Sequence, residues 1–175
     1  MRFRTIPAVS IAILAVCHAT TLQKLALADM IAHSTAIVRA TVTGSYTTQR
    51  GADIYTHYQF QVTETLKAGP VQIADVAVPG GEWKGVRQLA AGSPELKAGQ
   101  DYVIFLWTGR SGMTQVIGLS QGLFRVMQNE NNQAVLVRGP SDSLMLDAQG
   151  RVVSDQGVTM KLSDLRTAIQ KAKVQ

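Results

Sequence analysis

Histidine, serine and paired carboxylates are the side chains through which a chain of this size could do chemistry, so their spacing comes first. There are three histidines, His18, His33 and His57. His33 and His57 stand 24 positions apart, and neither belongs to a His-x-x-x-His pair of the kind that grips zinc from one helix face. His33 falls where a helix ends, a position that suits its partial charge, and His57 falls in the middle of a strand, where it reads as one rung of a ladder. Gly118-Leu119-Ser120-Gln121-Gly122 has the Gly-x-Ser-x-Gly spacing of a nucleophile elbow. The elbow needs a helix after the serine and a histidine later in the chain. Instead the alternating strand Leu123-Phe124-Arg125-Val126-Met127 comes next, and no histidine lies beyond Ser120. A glycine-bounded bulge or turn is therefore expected there. Glu64, Glu82, Glu95 and Asp101 are scattered and read as solvated turn residues rather than an acid–base pair. No catalytic residue is expected.

Contact chemistry is better placed. Pro79-Gly80-Gly81-Glu82-Trp83-Lys84-Gly85 lacks the Gly-Lys-Ser/Thr ending of a phosphate loop. It opens an irregular stretch running to Glu95, and a long irregular loop in a small domain is usually functional. Gly80, Gly81, Glu82, Trp83 and Lys84 are thus the expected binding residues, with Trp83 as an aromatic anchor between two charges. The competing reading folds Trp83 back as a lid on the barrel mouth.

The elements that position these groups begin after a targeting segment. Arg2 and Arg4 precede an apolar run from Ile6 to Val16, and Cys17-His18-Ala19 offers small residues at a peptidase site. This is the pattern of a secretory signal, so residues 1–19 are expected to be removed and residues 20–175 to form a single exported domain, periplasmic or extracellular. Val16 before Cys17 is a poor fit to a lipoprotein box, which argues against an anchor there. Without residues 1–19 no cysteine remains, so neither disulfides nor a thiolate zinc site can staple the fold. No later segment reaches transmembrane length. The full chain carries 17 basic and 12 acidic residues, dispersed, with no basic stripe to hold nucleic acid.

Thr21 to Ser34 has helical spacing with Thr21 as cap. Ala36 to Gly44 and Ile54 to Leu66 read as two strands around a polar turn, Gln49 to Asp53, with Tyr58, Phe60, Val62 and Leu66 at period two. Val71 to Val78 reads as a third strand. Tyr102 to Leu106 is a continuous apolar run, as of a strand covered on both faces. Thr114 to Gly118, Gly122 to Met127 and Ala134 to Val137 come next as strands, then a short hairpin around Asp147 to Gly150, and a final helix capped near Ser163. Short strands with turn signals every 8–12 residues predict a mainly β fold with some helix: one OB-like or related small β-barrel or sandwich, with a short N-terminal helix and a C-terminal helix.

Leu25 through Lys67, with its short helix, the strand Ser34 to Val42 and the long strand Tyr58 to Gly69, resembles the opening of the netrin-like OB barrel of tissue inhibitors of metalloproteinases. Leu96-Lys97-Ala98-Gly99-Gln100-Asp101-Tyr102 is similar to that family's entry into its central strand. The resemblance implies a barrel and a protein partner, a protease among them. It departs at the N-terminus, where the family's zinc-chelating cysteine is replaced by Thr20, whose free amine is the only metal-directed group the resemblance leaves. Pro79-Gly80-Gly81, Gly92-Ser93-Pro94 and the strand Tyr102 to Leu106 also resemble small secreted bacterial proteins, which imply no activity. Together these features point to a non-enzymatic binding domain with no cofactor, meeting a protein partner through residues 80–94. A hydrolase with an unrecognised site and an envelope-associated structural protein are the alternatives.

Overall fold

A computed structural model describes residues 21–69, 75–141 and 143–173. The expected signal segment, Cys17 and Thr20 therefore lie outside the described residues, as do Val71 and Ile73 of the expected third strand.

In chain order the elements are β1 (Thr21–Gln23), α1 (Leu27–His33), β2 (Ala36–Arg50), β3 (Asp53–Lys67), β4 (Val76–Pro79), β5 (Gly81–Trp83), β6 (Val86–Gln88), β7 (Asp101–Thr108) and β8 (Thr114–Val116). A 3₁₀ turn, Leu119–Gly122, leads into β9 (Leu123–Gln128), β10 (Ala134–Arg138), β11 (Leu144–Leu146), β12 (Val152–Val153), β13 (Val158–Lys161) and α2 (Leu162–Ala172).

Five of these strands close on themselves. β2 pairs with β3, β3 with β4, β4 in parallel with β8, β8 with β7, and β7 back onto β2. The result is a mainly β fold of the expected class, a small barrel with short helices. The other edge of β7 is shared, since Leu106–Thr108 bind β8 while Tyr102–Ile104 bind β9. From β9 the sheet runs on through β10 to β13, outside the ring.

The continuous apolar run of β7 serves two cores. Tyr102, Ile104 and Leu106 point into the barrel with Val38, Ala40, Val42, Tyr58, Val76, Val78 and Val116, and Leu96 packs with them. Val103 and Phe105 point outward, where Ile37, Phe124 and Leu136 meet Met30 and Ile31 of α1 and Leu162, Leu165 and Ile169 of α2. Period-two geometry requires this split when a strand has helices on one side and a barrel interior on the other.

Several local expectations are corrected. Thr21 does not cap a helix. Residues 21–23 pair in parallel with β11, the Lys24 N–H donates to the Leu146 carbonyl at 2.8 Å, and the helix begins only at Leu27. Ser163 does not cap α2, which starts one residue earlier behind Lys161. Val62 is 45 % exposed, because register shifts in the β2–β3 pairing break the alternation along β3. The stretch after Pro79 is not all irregular: β5 and β6 form a tight hairpin. Lys84 (φ 49°) and Gly85 (φ 79°) both take the left-handed backbone that a two-residue hairpin turn demands.

Candidate functional site

The functional candidates gather where β2 and β3 run past the β2–β7 pairing. β2 and β3 are 15 residues each, and beyond Val42 they run on as a ribbon that turns at Gly51-Ala52, with β4 paired to its β3 side along Tyr55–Tyr58. Directly opposed residues share a face. Thr47 and Thr56 are one such pair, and the adjacent pair Tyr46 and His57 lies on the other face.

On the first face sits the β5–β6 hairpin. The Thr47 hydroxyl donates to the Glu82 carbonyl and the Thr56 hydroxyl to the Gly80 carbonyl, each at 2.8 Å. The Gly80 N–H donates to the Ile54 carbonyl at 2.8 Å. Gly81 must be glycine: its φ is 137°, and a Cβ would stand 2.5 Å from the Thr56 hydroxyl. Gly80 and Gly81 therefore set the hairpin against the ribbon through their backbone. Glu82 and Lys84 are exposed, and Trp83 is half-buried with the Lys84 ammonium 5.6 Å from its ring. Trp83 does not close the barrel, whose interior cluster includes Leu96 and not Trp83. Beyond the turn, Val86 is 63 % and Leu89 81 % exposed, flanking the exposed Arg87. Sequence alone does not single out these last three residues, and their apolar and basic exposure extends the surface expected at residues 80–84.

The opposite face carries a polar network that sequence does not reveal. The His57 ring stacks on Tyr46, with centroids 4.9 Å apart and planes 9° from parallel. Its Nδ1 lies 3.1 Å from Asp75 Oδ1 and its Nε2 2.9 Å from the Thr48 hydroxyl. The Tyr46 hydroxyl donates to the other Asp75 oxygen. That bond, with desolvation and the carboxylate's charge, raises the phenol above its ordinary value. His57 is thus more than a ladder rung. Thr48, His57 and Asp75 follow the hydrogen-bond order of nucleophile, base and acid. Hydrolysis also needs an enclosure for substrate and free donors for an oxyanion. Tyr46, Thr48, His57 and Asp75 line none of five cavities found among the described residues.

Ser120 is placed elsewhere. It lines a polar cleft of about 520 Å³ with Glu95, Tyr102, Arg125 and Arg138, and no histidine lines that cleft. The left-handed residues of its turn are Gly118 and Leu119 rather than the serine, and strand β9 comes next instead of a helix. An apolar cavity of about 330 Å³ opens beside Trp107, bordered by Pro79, Pro94, Ala77, Leu25 and Ile117. A groove of about 830 Å³ lies between α1 and α2. His33 is bonded through Nδ1 to the Asp29 carbonyl at 2.8 Å, within its own helix. Among the described residues, no three His, Cys, Asp or Glu side chains gather where they could hold a metal, and no helix is long and apolar enough to cross a membrane. Compared with family models, curated proteins and solved structures, the chain matches none.

Proposed function

We propose that this chain is an exported, non-enzymatic binding domain that takes a protein partner on the β5–β6 hairpin and the residues just beyond it. One observation carries the reading. Leu89 is the most exposed large hydrophobic side chain among the described residues, and Val86 stands close to it at the start of β6. The hairpin and Gly80 before it are held to the β2–β3 ribbon by four bonds, the fourth from the Ile54 N–H to Gln88 Oε1, so the surface is presented already ordered, which lowers the entropic cost of binding. Trp83 supplies the aromatic anchor, and Lys84 and Arg87 supply a basic rim for a partner with acidic residues at its margin. Strand β6 pairs only with β5 among the described residues, so its outer edge can accept an extended segment as an added strand. Burying Val86 and Leu89 contributes about 1.5–3 kcal/mol each.

The likeness to protease inhibitors makes a secreted protease the first partner class to try. The test is capture from the exported fraction by the chain, by Trp83→Ala and by the double variant Val86→Asp/Leu89→Asp, then titration of the purified partner. A discrete partner whose binding falls at least about tenfold in the variants, a change of about 1.4 kcal/mol, supports the reading. Equal binding by all three proteins rejects this surface.

A further inference from the structure

A strand that turns one face into a barrel presents the other outward. Trp107 on β7, Gln115 on β8 and Ala77 on β4 are direct partners in the two ladders that close the ring, so they share the outer face. Leu106, Val116, Val76 and Val78 beside them belong to the barrel core. That outer face is the floor of the cavity of about 330 Å³ beside Trp107, and its far walls are the chain after β1, the Pro94 loop and the turn at Gly118 and Leu119.

The walls are held in place by their own hydrogen bonds. The buried Gln121 amide accepts the Leu25 N–H and donates to the Gln23 carbonyl, each at 2.9 Å, which ties the chain after β1 to the 3₁₀ turn. The Ser120 N–H donates to the Gly92 carbonyl at 3.2 Å and the Ser93 hydroxyl to the Pro79 carbonyl at 2.6 Å, which ties in the Pro94 loop. Gly109 braces the indole with its backbone, since a Cβ there would stand 3.0 Å from the ring, yet Trp107 is still 46 % exposed. A cavity held in this way has its shape before a ligand arrives, which lowers the cost of filling it.

The lining selects the ligand. Among the described residues no charged side chain lines the cavity, and an ionic group buried there without a partner costs more than apolar walls return. Besides the indole N–H, the polar side-chain groups of the lining are the amides of Gln23, Gln115 and Gln121. Gln121 is committed to the backbone and Gln23 is exposed. Gln115 is half-buried beside the indole, and its amide has no hydrogen-bond partner among the described residues. A sugar would leave most of its hydroxyls unpaired against such a lining. A cavity of about 150 Å³ accepts benzene, so one of about 330 Å³ holds a substituted ring or a fused pair. The indole face favours an aromatic ring over an aliphatic chain. We propose that this cavity binds a small neutral aromatic molecule with a single polar group, of the phenol or indole kind, its ring on Trp107 and its polar group on the Gln115 amide.

Trp83, Val86 and Leu89 do not line the cavity, so this site and the hairpin surface stand or fall separately. The experiment is titration of the ¹⁵N-labelled exported form of the chain with p-cresol, toluene, benzoate and glucose, read by nuclear magnetic resonance. The chain has two tryptophans, so the Trp83 indole N–H serves as the internal reference. The expected result is saturable movement of the Trp107 indole N–H by p-cresol, with a dissociation constant of about 1 mM or tighter, while the Trp83 signal stays in place. Benzoate, similar in size but charged, binds at least about tenfold more weakly, and glucose moves nothing. Trp107→Ala identifies the resonance by its loss and weakens p-cresol binding, read from the ligand's own signals, by at least about threefold. Gln115→Leu keeps the size of the side chain and shifts the balance between p-cresol and toluene toward toluene by about two- to tenfold. Thermal melts show which variants keep the fold, and the ligand series on the unmodified chain decides the matter if neither does. No saturable movement of the Trp107 resonance, benzoate binding as tightly as p-cresol, or a p-cresol-to-toluene ratio unmoved in folded Gln115→Leu overturns the proposal.

Discussion

Replacing Asp155 by Asn is the sharpest test of how this fold is held, because it breaks an ion pair that water barely reaches. The Arg138 side chain is 9 % exposed and that of Asp155 2 %. Asp155 accepts two guanidinium N–H groups of Arg138 and the backbone N–H groups of Ser141 (2.9 Å) and Gly157 (3.2 Å). Arg138's hydrogen bonds first, then the Ser141 N–H, the guanidinium charge and the Gly157 N–H, outweigh desolvation and lower the carboxyl from 3.8 to about 2. That difference corresponds to about 2 kcal/mol of stability from ionisation alone. The folded value lies below the unfolded one, so this contribution is complete above about pH 4 and is lost as the pH falls through about 2. The Asn variant costs more than this at neutral pH, since it leaves the Arg138 charge buried without its partner, at about 3–5 kcal/mol. For a domain of this size that is a fall of roughly 6–20 °C in melting temperature. Circular dichroism melts of both proteins between pH 7 and pH 2 measure it. The gap between them should narrow as the wild-type carboxyl protonates. A variant melting within about 3 °C of wild type at pH 7, or a gap that stays constant down to pH 2, would refute the reasoning.

Gly81→Ala should unseat the β5–β6 hairpin, because the added methyl meets the Thr56 hydroxyl and the backbone is in a region costing about 1–3 kcal/mol for a non-glycine residue. Faster amide exchange at Gly80 and Val86 with little change in the Phe105 region would show it, and uniform protection would count against it. Phe105→Ala should cost about 3–5 kcal/mol, because the ring is fully buried and packs at 5.6 Å against Phe124 between sheet and helices. Denaturant titration checks this, and a loss below about 1 kcal/mol would mean that the outer core yields around the missing ring.

The barrel is legible in the sequence wherever burial imposes a period. The alternation in β2 and the unbroken run in β7 follow from one buried face and two, and both strands lie where those patterns put them. The turns at Gly51 and Asn129 carry their own residue signals. The β5–β6 hairpin is not legible because its turn is Lys-Gly, and a left-handed lysine lacks the Asn or Asp side chain that usually marks the position. β1 reads as helix because its partner, β11, lies some 120 residues further on, and no local pattern reports a parallel pairing at that distance. β13 is four residues with one strand neighbour, and its two apolar side chains are too few to set a period. Of the site, glycines and a tryptophan mark residues 80–84, whereas Val86 and Leu89 look like ordinary apolar residues of a loop. The Tyr46–His57 pair does leave a signal: in a hairpin with a two-residue turn at Gly51-Ala52, residues equally far from the turn face each other. Asp75 leaves none, since its approach depends on the β3–β4 pairing.

Both candidate surfaces hang on the same register. Along the ribbon, Thr47 and Thr56 hold the hairpin on one side while Tyr46 and His57 meet Asp75 on the other. A slip of one residue would turn every one of these side chains to the wrong face. The barrel core reaches into this register, because Tyr58, opposite Ser45, belongs to it and Tyr55–Tyr58 pair with β4. The irregularity between Val42 and Gly44 shifts the pairing from the barrel's phase to the ribbon's, and from Gly44 to Arg50 the pairing runs without a break into the turn. The ribbon's phase is thus set by its own turn, by the β3–β4 pairing and by the bonds its two faces make. Each surface depends on the ribbon keeping the pairing that brings Thr47 to Thr56 and Tyr46 to His57.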